Sequence, residues 1–298
     1  MGVPQSLERL RGTVGVWTFV HESLPAALSG EIAAELESLG YAALWTPEAW
    51  SREAFTNAGL MLAQSSRITV ATGIANIWAR DAVASANAAR TLNAAYEDRF
   101  VLGLGVSHQP LVERLRGHTY QSPLAAMAEY LSAMAKVPMR APEAEHPYAR
   151  VIAALGPKMI RLGATMADGV HTYLVTPEHT ATTRALCDDA FIGVEQAVVL
   201  GQSRDEFYER AHRHLEFYTG LANYQNNWRR LGFGDEDFVR GGSTRLCDAM
   251  VVHGNEESVI QRIREHRAAG ADHVCLQVLA NEHNAPPLDE WRAISAAL

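Results

Sequence analysis

Residues 100–108 read Phe-Val-Leu-Gly-Leu-Gly-Val-Ser-His, a short apolar run that ends in glycine, a hydroxyl and an imidazole. A continuous apolar run of this length is typical of a strand whose two faces are both covered, as in a parallel sheet packed between helices. In a barrel of such strands the active site lies at the carboxyl ends of the strands. The segment therefore predicts a buried parallel strand followed by a functional turn.

Similar runs occur eight times, and amphipathic helical segments separate them. The strand candidates are residues 14–19, 42–46, 68–73, 100–104, 151–154, 169–174, 196–200 and 273–278. Helices at 31–39 and 256–269 end at Gly40 and Gly270, where a C′ glycine favours the turn into the next strand. The alternation predicts an α/β protein, a (β/α)8 TIM barrel with one domain over residues 1–298.

Two segments are longer than a minimal barrel needs. Residues 109–147 follow the fourth strand, and residues 204–242, which are aromatic and polar, follow the seventh. We expect insertions that cover a substrate or contact another subunit. Plain helix packing is the alternative.

Composition excludes several kinds of protein. The chain is 48% hydrophobic and 20% charged, as expected for a globular protein and not for a disordered one. A net charge of −8 disfavours nucleic acid as a partner. No apolar run reaches the ~18 residues of a membrane span. Residues 1–9 lack a secretory pattern, so we expect a cytoplasmic protein that acts on a small molecule, with no membrane partner.

Metal and disulfide sites are not indicated. The cysteines Cys187, Cys247 and Cys275 lie far apart in the sequence, so buried free thiols are expected. The 12 histidines show no metal-ligating spacing. We therefore expect no metal.

Polar residues at the predicted strand ends are the candidate site residues. Glu48 follows the second strand between Trp45 and Trp50, where burial would raise the pKa of its carboxyl group and make it a candidate proton donor. A charge at a helix N-terminus is the alternative. Gly73 at the third strand indicates a bulge or the close approach of a ligand. His171 on the sixth strand is either part of the barrel mouth or a structural histidine.

A third turn indicates a phosphate site. Gly156 and Pro157 open a helix after the fifth strand, and Lys158 adds a positive charge. Free N–H groups and the dipole at such a helix start favour a phosphate. An ordinary helix that begins at a proline is the alternative.

Five segments together resemble the luciferase-like flavin monooxygenase superfamily, and within it the branch that uses coenzyme F420, an 8-hydroxy-5-deazaflavin. They are residues 40–48, 68–81, 99–108, 167–169 and 269–274. The resemblance implies a TIM barrel of the bacterial luciferase type that holds the cofactor in its mouth and forms a homodimer. FMN is the alternative cofactor, because both flavin types occupy the same cleft.

The resemblance also implies the parts of the cofactor site. Gly73-Ile74 matches a strand-three bulge that backs the ring through a non-proline cis peptide. The turn at 105–108 matches the one beside the ring, and the turn at 156–158 matches the one that receives the phosphate. The implied cofactor-binding residues are Gly73, Ile74, Asn76, Gly105, Val106, Ser107, Gly156, Pro157 and Lys158.

One departure from the family concerns the proton. Several deazaflavin dehydrogenases carry an Asp-His pair after strand two, with the histidine as proton acceptor, whereas this chain has Glu48-Ala49. We therefore expect hydride transfer between the deazaflavin C5 and a small organic substrate, with Glu48 or His108 as catalytic acid or base. The expected substrate-side residues are Trp17, Trp45, Trp50 and His171. A monooxygenase that uses reduced FMN and a flavin-binding protein without turnover are the alternatives.

Overall fold

The computed structural model describes residues 4–142, 144–201, 203–280 and 285–298. Within these ranges the strands are Thr13–Trp17 (β1), Ala43–Thr46 (β2), Thr69–Thr72 (β3), Ala75–Asn76 (β4), Phe100–Gly105 (β5), Ala149–Ala153 (β6), Gly169–Thr172 (β7), Phe191–Leu200 (β8), Val251–Gly254 (β9) and His273–Val278 (β10). The helices are Gln5–Glu8 (α1), Leu28–Ser38 (α2), Ala54–Ala63 (α3), Ala82–Ala95 (α4), Pro123–Ala135 (α5), Pro157–Met166 (α6), Pro177–Cys187 (α7), Arg204–Thr219 (α8), Ala222–Arg230 (α9), Thr244–Met250 (α10), Glu256–Ala268 (α11) and Leu288–Ala297 (α12).

Eight parallel strands close into a barrel. Their order is β1, β2, β3, β5, β6, β7, β8 and β10, and the ring closes because β10 pairs with both β1 and β8. The short strand β4 pairs with the end of β5, and β9 pairs with the end of β8. The predicted (β/α)8 TIM barrel is thus confirmed.

Two strands differ from the sequence prediction. Strand β8 begins at Phe191 rather than at residue 196, because Gly193 and Glu195 interrupt the apolar pattern although both belong to the strand. A Cβ at Gly193 would lie 3.3 Å from the Phe191 ring, which leaves little room for a larger residue there. Strand β9 was not predicted, since its apolar run is only Met-Val-Val before His253.

The predicted helix ends and insertions are present. Helices α2 and α11 end just before Gly40 and Gly270, whose φ angles are +86° and +103°. These left-handed conformations suit glycine at C′. After β5 the chain forms a π-helical turn at Leu111–Leu115 and then α5. After β8 it forms α8, α9, α10 and β9 before α11, which leads into the last barrel strand, β10.

The apolar core has separate layers that position the mouth of the barrel. Leu7 and Leu10 at the chain start pack with the barrel interior, while the larger layer lies between strands and helices. The insertion after β8 has its own core around Phe207, Leu215 and Trp228. The three cysteines are free and buried. Among the described helices, none is both long and apolar enough to span a bilayer.

Candidate functional site at the barrel mouth

The third barrel strand ends in a bulge. The Gly73–Ile74 peptide is cis, as the resemblance implied. The Gly73 N–H donates to the Thr46 carbonyl at 2.7 Å, and the chain then re-enters the sheet as β4 beside β5. Asn76 pairs in register with Gly105, and a Cβ at Gly105 would overlap the Ile74 side chain. The bulge and the turn after β5 are therefore in direct contact.

Glu48 holds this bulge from the neighbouring strand. Its backbone N–H donates to the Ile74 carbonyl at 3.1 Å, and its Oε2 accepts from the Asn76 N–H at 2.8 Å. Both of its oxygens also pair with the Arg80 guanidinium, at 3.0 Å for Nη1 to Oε2. Its side chain is only 4% exposed. Both carboxylate oxygens of Glu48 are thus occupied by contacts that hold the bulge in place.

Arg80 ties this arrangement to α3. Its Nη2 lies 2.8 Å from Glu53 Oε1, and its guanidinium lies 5.0 Å from the centroid of the Phe55 ring. Sequence reasoning missed Arg80 because its partners come from separate segments. The one available signal was that Arg80 follows Gly73, the glycine at the end of the third strand, in the same segment.

The turn after β5 is held through its backbone. The Val106 carbonyl accepts from the Trp78 indole N–H at 2.9 Å, and the Ser107 carbonyl accepts from the Tyr120 hydroxyl at 3.3 Å. Ser107 has a φ of +55°, a left-handed conformation that ends the strand. These contacts direct the following residue, His108, toward the mouth.

His108 meets the insertion after β8. Its ring lies 5.7 Å from the Phe217 ring and 6.0 Å from the Tyr224 ring. Burial lowers the pKa of His108 to about 4, so the imidazole is neutral near pH 7. A neutral imidazole can donate one hydrogen bond and accept another.

The four residues expected near the substrate occupy different depths. Trp17 lies at the end of β1, where a Cβ added to Gly73 would be 2.5 Å from its Nε1. Trp50 lies on the rim, 62% exposed, with its ring parallel to that of Phe19 at 6.2 Å. Trp45 and His171 are buried in the barrel interior and stack on each other at 4.5 Å. The structure therefore brings Trp17 to the bulge and places Trp45 and His171 below the mouth.

The third turn lies at the start of α6. Gly156 is the N-cap residue, Pro157 is the first helical residue, and Lys158 is exposed. Arg230, at the end of α9, reaches this turn: its Nη2 would lie 3.6 Å from a Cβ at Gly156. The insertion thus adds a guanidinium to the helix N-terminus, which raises its suitability for an anion.

Glu195 is a buried carboxyl that sequence reasoning did not single out. It is fully buried on β8, in register with Cys275 of β10. Its Oε2 accepts from the Leu174 N–H at 3.0 Å, and within the described residues Oε1 has no hydrogen-bond partner. Burial raises the pKa of Glu195 to about 8. The group therefore holds its proton in the folded protein at neutral pH.

This buried proton predicts a dependence of stability on pH. Between the ordinary pKa of 4.5 and the folded value of about 8, the folded chain keeps a proton that the unfolded chain loses. The contribution of the Glu195 proton to the free energy of unfolding is complete below pH 4.5. It is lost as the pH rises through this window, by at most ~1.4 kcal/mol per pH unit. In Glu195→Gln this loss should disappear from urea unfolding at pH 5 to 8. The matched control Glu209→Gln changes an exposed carboxylate and should keep this loss. Equal slopes of the free energy of unfolding against pH in the parent and both variants would contradict the expectation.

Comparison with known proteins finds one matching family and several related proteins. The sequence model of a family described as luciferase-like monooxygenase matches residues 14–273. A Mycobacterium tuberculosis protein described as a coenzyme F420-dependent oxidoreductase is 33% identical over 113 residues, which are 38% of this chain and 33% of that relative. The chain thus spans about a third of the length of this relative.

Solved structures share the fold at low identity. An F420-dependent secondary alcohol dehydrogenase with an F420-acetone adduct has a TM-score of 0.76 at 13% identity and covers 97% of this chain and 98% of its own. The FMN-bound oxygenating part of 3,6-diketocamphane monooxygenase from Pseudomonas putida has a TM-score of 0.69 at 12% identity, with 95% of each chain covered. At such identities the likeness establishes the barrel fold alone. It does not identify the cofactor.

Proposed function

Because the chain belongs to the luciferase-like monooxygenase family, we propose that it is an oxidoreductase that binds coenzyme F420 in the barrel mouth and transfers a hydride between the deazaflavin C5 and a small organic substrate. The observation that carries the proposal is the bulge at Gly73–Ile74 and its direct contact with the turn after β5. The F420-dependent relatives support the choice of coenzyme. We further propose a cytoplasmic homodimer, in line with the resemblance.

The residues at the mouth fit such a group. The glycines at 73 and 105 let the backbone pack closely against the side chains of Trp17 and Ile74, which shapes the bulge. The buried indole N–H of Trp17 has no acceptor within the described residues. The ring would be held by Gly73, Ile74, Asn76, Gly105, Val106 and Ser107. The N–H groups at Gly156 to Lys158, together with Arg230, would hold the phosphate. When bound, the coenzyme supplies the hydride chemistry.

The remaining side chains at the mouth position the bulge and transfer a proton. Glu48 is a positioning residue in this proposal, because both of its oxygens are engaged by Arg80 and the bulge. His108 is the group placed to accept or donate the matching proton, since its imidazole is neutral and faces the mouth. The rings of Phe217 and Tyr224 on the insertion pack near the His108 imidazole, and of these two only Tyr224 is buried.

The second candidate is a monooxygenase that uses reduced FMN. The FMN-bound relative favours it, and so does Ala49, which stands where several deazaflavin dehydrogenases keep their proton-accepting histidine. A flavin-binding protein without turnover is the third candidate, because Ala49 cannot accept a proton. All three bind a cofactor in the mouth, so cofactor preference and turnover separate them.

Equilibrium dialysis with coenzyme F420 and FMN tests the proposal. We expect F420 to bind at least about tenfold more tightly than FMN, and Arg230→Ala to weaken F420 by about tenfold through the loss of one charge-assisted contact. The phosphate-free deazaflavin chromophore should be unaffected by that change. Arg229→Ala is the matched control, because Arg229 pairs with Asp235. A preference for FMN would overturn the F420 assignment, and a bound coenzyme whose absorbance no substrate changes would favour the third candidate.

A further inference from the structure

The start of α6 is a turn whose backbone donors are open to solvent. Gly156 is the N-cap residue and has no side chain that could cap the helix, and Pro157 carries no N–H. The first helical N–H groups, at Lys158 and Met159, therefore have no side-chain cap. Pro157 and Lys158 are exposed and Gly156 is half-buried, so an anion reaches this turn directly from the solvent.

Two positive charges beside the turn are unpaired. Arg230 ends α9, and its Nη2, Nη1 and Cζ atoms would lie 3.6, 3.8 and 3.9 Å from a Cβ at Gly156. The adjacent Arg229 pairs with Asp235. Within the described residues, Arg230 and Lys158 form no ion pair. Both charges are thus available to an anion at the helix start.

His179 contacts the same turn from its buried side. It lies in the first turn of α7, and its Nε2 is 2.9 Å from the Leu155 carbonyl oxygen. The residue is only 4% exposed. Asn227 of α9, which is fully buried, lies beside the imidazole. The His179 ring therefore lies where the turn before α6, the start of α7 and the end of α9 meet.

The hydrogen bond to the turn fixes the tautomer of His179. Burial lowers the pKa of His179, and the positive charge of Arg230 lowers it further, so the imidazole is neutral near pH 7. A neutral imidazole has one N–H, and a carbonyl oxygen can only accept. The proton is therefore on Nε2, which donates to the Leu155 carbonyl. His179 adds no charge to the turn and can act on an anion only through the backbone.

The direction of one peptide group follows from this bond. The Leu155–Gly156 peptide is trans, and the C=O and N–H of a planar trans peptide point in opposite directions. Because His179 binds the C=O on the buried side, the Gly156 N–H points to the open side. In the described backbone no carbonyl accepts from this N–H. It adds a third donor to those of Lys158 and Met159.

We propose that His179 is a positioning residue for the anion site at the start of α6. Its Nε2–H holds the Leu155 carbonyl and thereby directs the Gly156 N–H at the phosphate group of the bound cofactor. This role rests on the proposed function in taking a phosphate-bearing cofactor as the ligand. It applies to F420 and FMN alike, because it concerns the phosphate and not the ring.

The contribution of the phosphate to binding tests this role. It is measured on the full chain as the ratio of dissociation constants of riboflavin to FMN, and of the phosphate-free deazaflavin chromophore to F420. His179→Phe keeps a ring but has no donor, and we expect it to lower the ratio by about fivefold, the effect of one lost hydrogen bond. The side-chain amide of His179→Gln can donate to Leu155 in place of Nε2 and should keep the ratio within about twofold of the parent.

His266→Phe is the matched control. His266 is also a fully buried, neutral histidine that contacts α7, since its Nδ1 lies 2.9 Å from Thr180 Oγ1. It makes its other contact with Gln196 of β8 and not with the turn. We expect its thermal unfolding midpoint to fall as far as that of His179→Phe while the ratio stays at the parent value. A general loss of stability would lower the ratio in both variants.

The outcomes separate this role from the proposed function. A parent ratio in His179→Phe, or a lowered ratio that His179→Gln or His266→Phe shares, would overturn the positioning role. A ratio near one in the parent would remove the anion site and this role with it, while tight binding of F420 through its ring would leave the proposed coenzyme in place. Binding of FMN in preference to F420 would remove the proposed coenzyme, and the ratio of riboflavin to FMN would still decide the role of His179. A chain that binds none of the four ligands would overturn both proposals.

Discussion

Glu48→Gln is expected to lower the free energy of unfolding by about 3 kcal/mol, the lower part of the range for breaking a buried ion pair. The substitution leaves the Arg80 guanidinium, 12% exposed, with Glu53 as its remaining partner, and Glu53 is itself 47% exposed. It also removes the negative charge from the side chain whose Oε2 accepts the hydrogen bond from the Asn76 N–H. Urea unfolding followed by circular dichroism measures the loss.

The same variant should also weaken the cofactor. Glu48 joins β2 to both sides of the bulge, at the Ile74 carbonyl and the Asn76 N–H, so its loss loosens the surface that would contact the ring. We expect the dissociation constant for F420 to rise by more than tenfold, while the turnover of the saturated enzyme changes much less. This division between binding and turnover is what a positioning residue predicts.

A surface pair provides the control. Glu35→Gln breaks the exposed pair with Arg292, and exposed pairs contribute about 0–1 kcal/mol. If Glu48→Gln instead keeps its stability and its F420 affinity while turnover falls by more than a hundredfold, Glu48 is the proton-transfer group and His108 is not. That outcome would restore the role that the sequence suggested for Glu48.

Gly103→Ala is the second change with a large expected effect. A Cβ at this position of β5 would overlap the Thr72 carbonyl oxygen, which is backbone and cannot rotate away. The Thr72 side chain also bonds both backbone groups of Gly103, at 2.7 and 2.9 Å, so β3 and β5 move together. We expect a loss of about 1–3 kcal/mol, typical of overpacking, and at least tenfold weaker F420 binding as the adjoining bulge shifts.

Gly59→Ala is the matched control for this steric argument. A Cβ at Gly59 in α3 would lie 3.7 Å from the nearest side-chain atom, in ordinary contact, and alanine favours a helix. Its thermal unfolding midpoint should stay equal to or above that of the parent. A Gly103→Ala protein with the parent's midpoint and F420 affinity would show that the contact between β3 and β5 relaxes without cost.

Sequence reasoning worked best where a pattern is local. Apolar runs located the barrel strands within a few residues, and glycines at 40 and 270 marked helix ends that the structure confirms. The family resemblance correctly implied the cis peptide at Gly73–Ile74. The sequence prediction was wrong for the start of β8, because the predicted strand began only at residue 196, whereas the buried Glu195 also belongs to the strand.

The sequence by itself determined the barrel, the order of its strands and the three turns of the candidate site, since each depends on the periodicity and punctuation of one continuous segment. Only the tertiary structure decided the partners of those turns: Arg80 for Glu48, Arg230 for Gly156, and Tyr224 for His108. These contacts join residues far apart in the chain, so they form only when the closed sheet and the insertion's core bring their segments together. The charge states of Glu195 and His108 follow from the same packing, because burial and not residue type moves their pKa values.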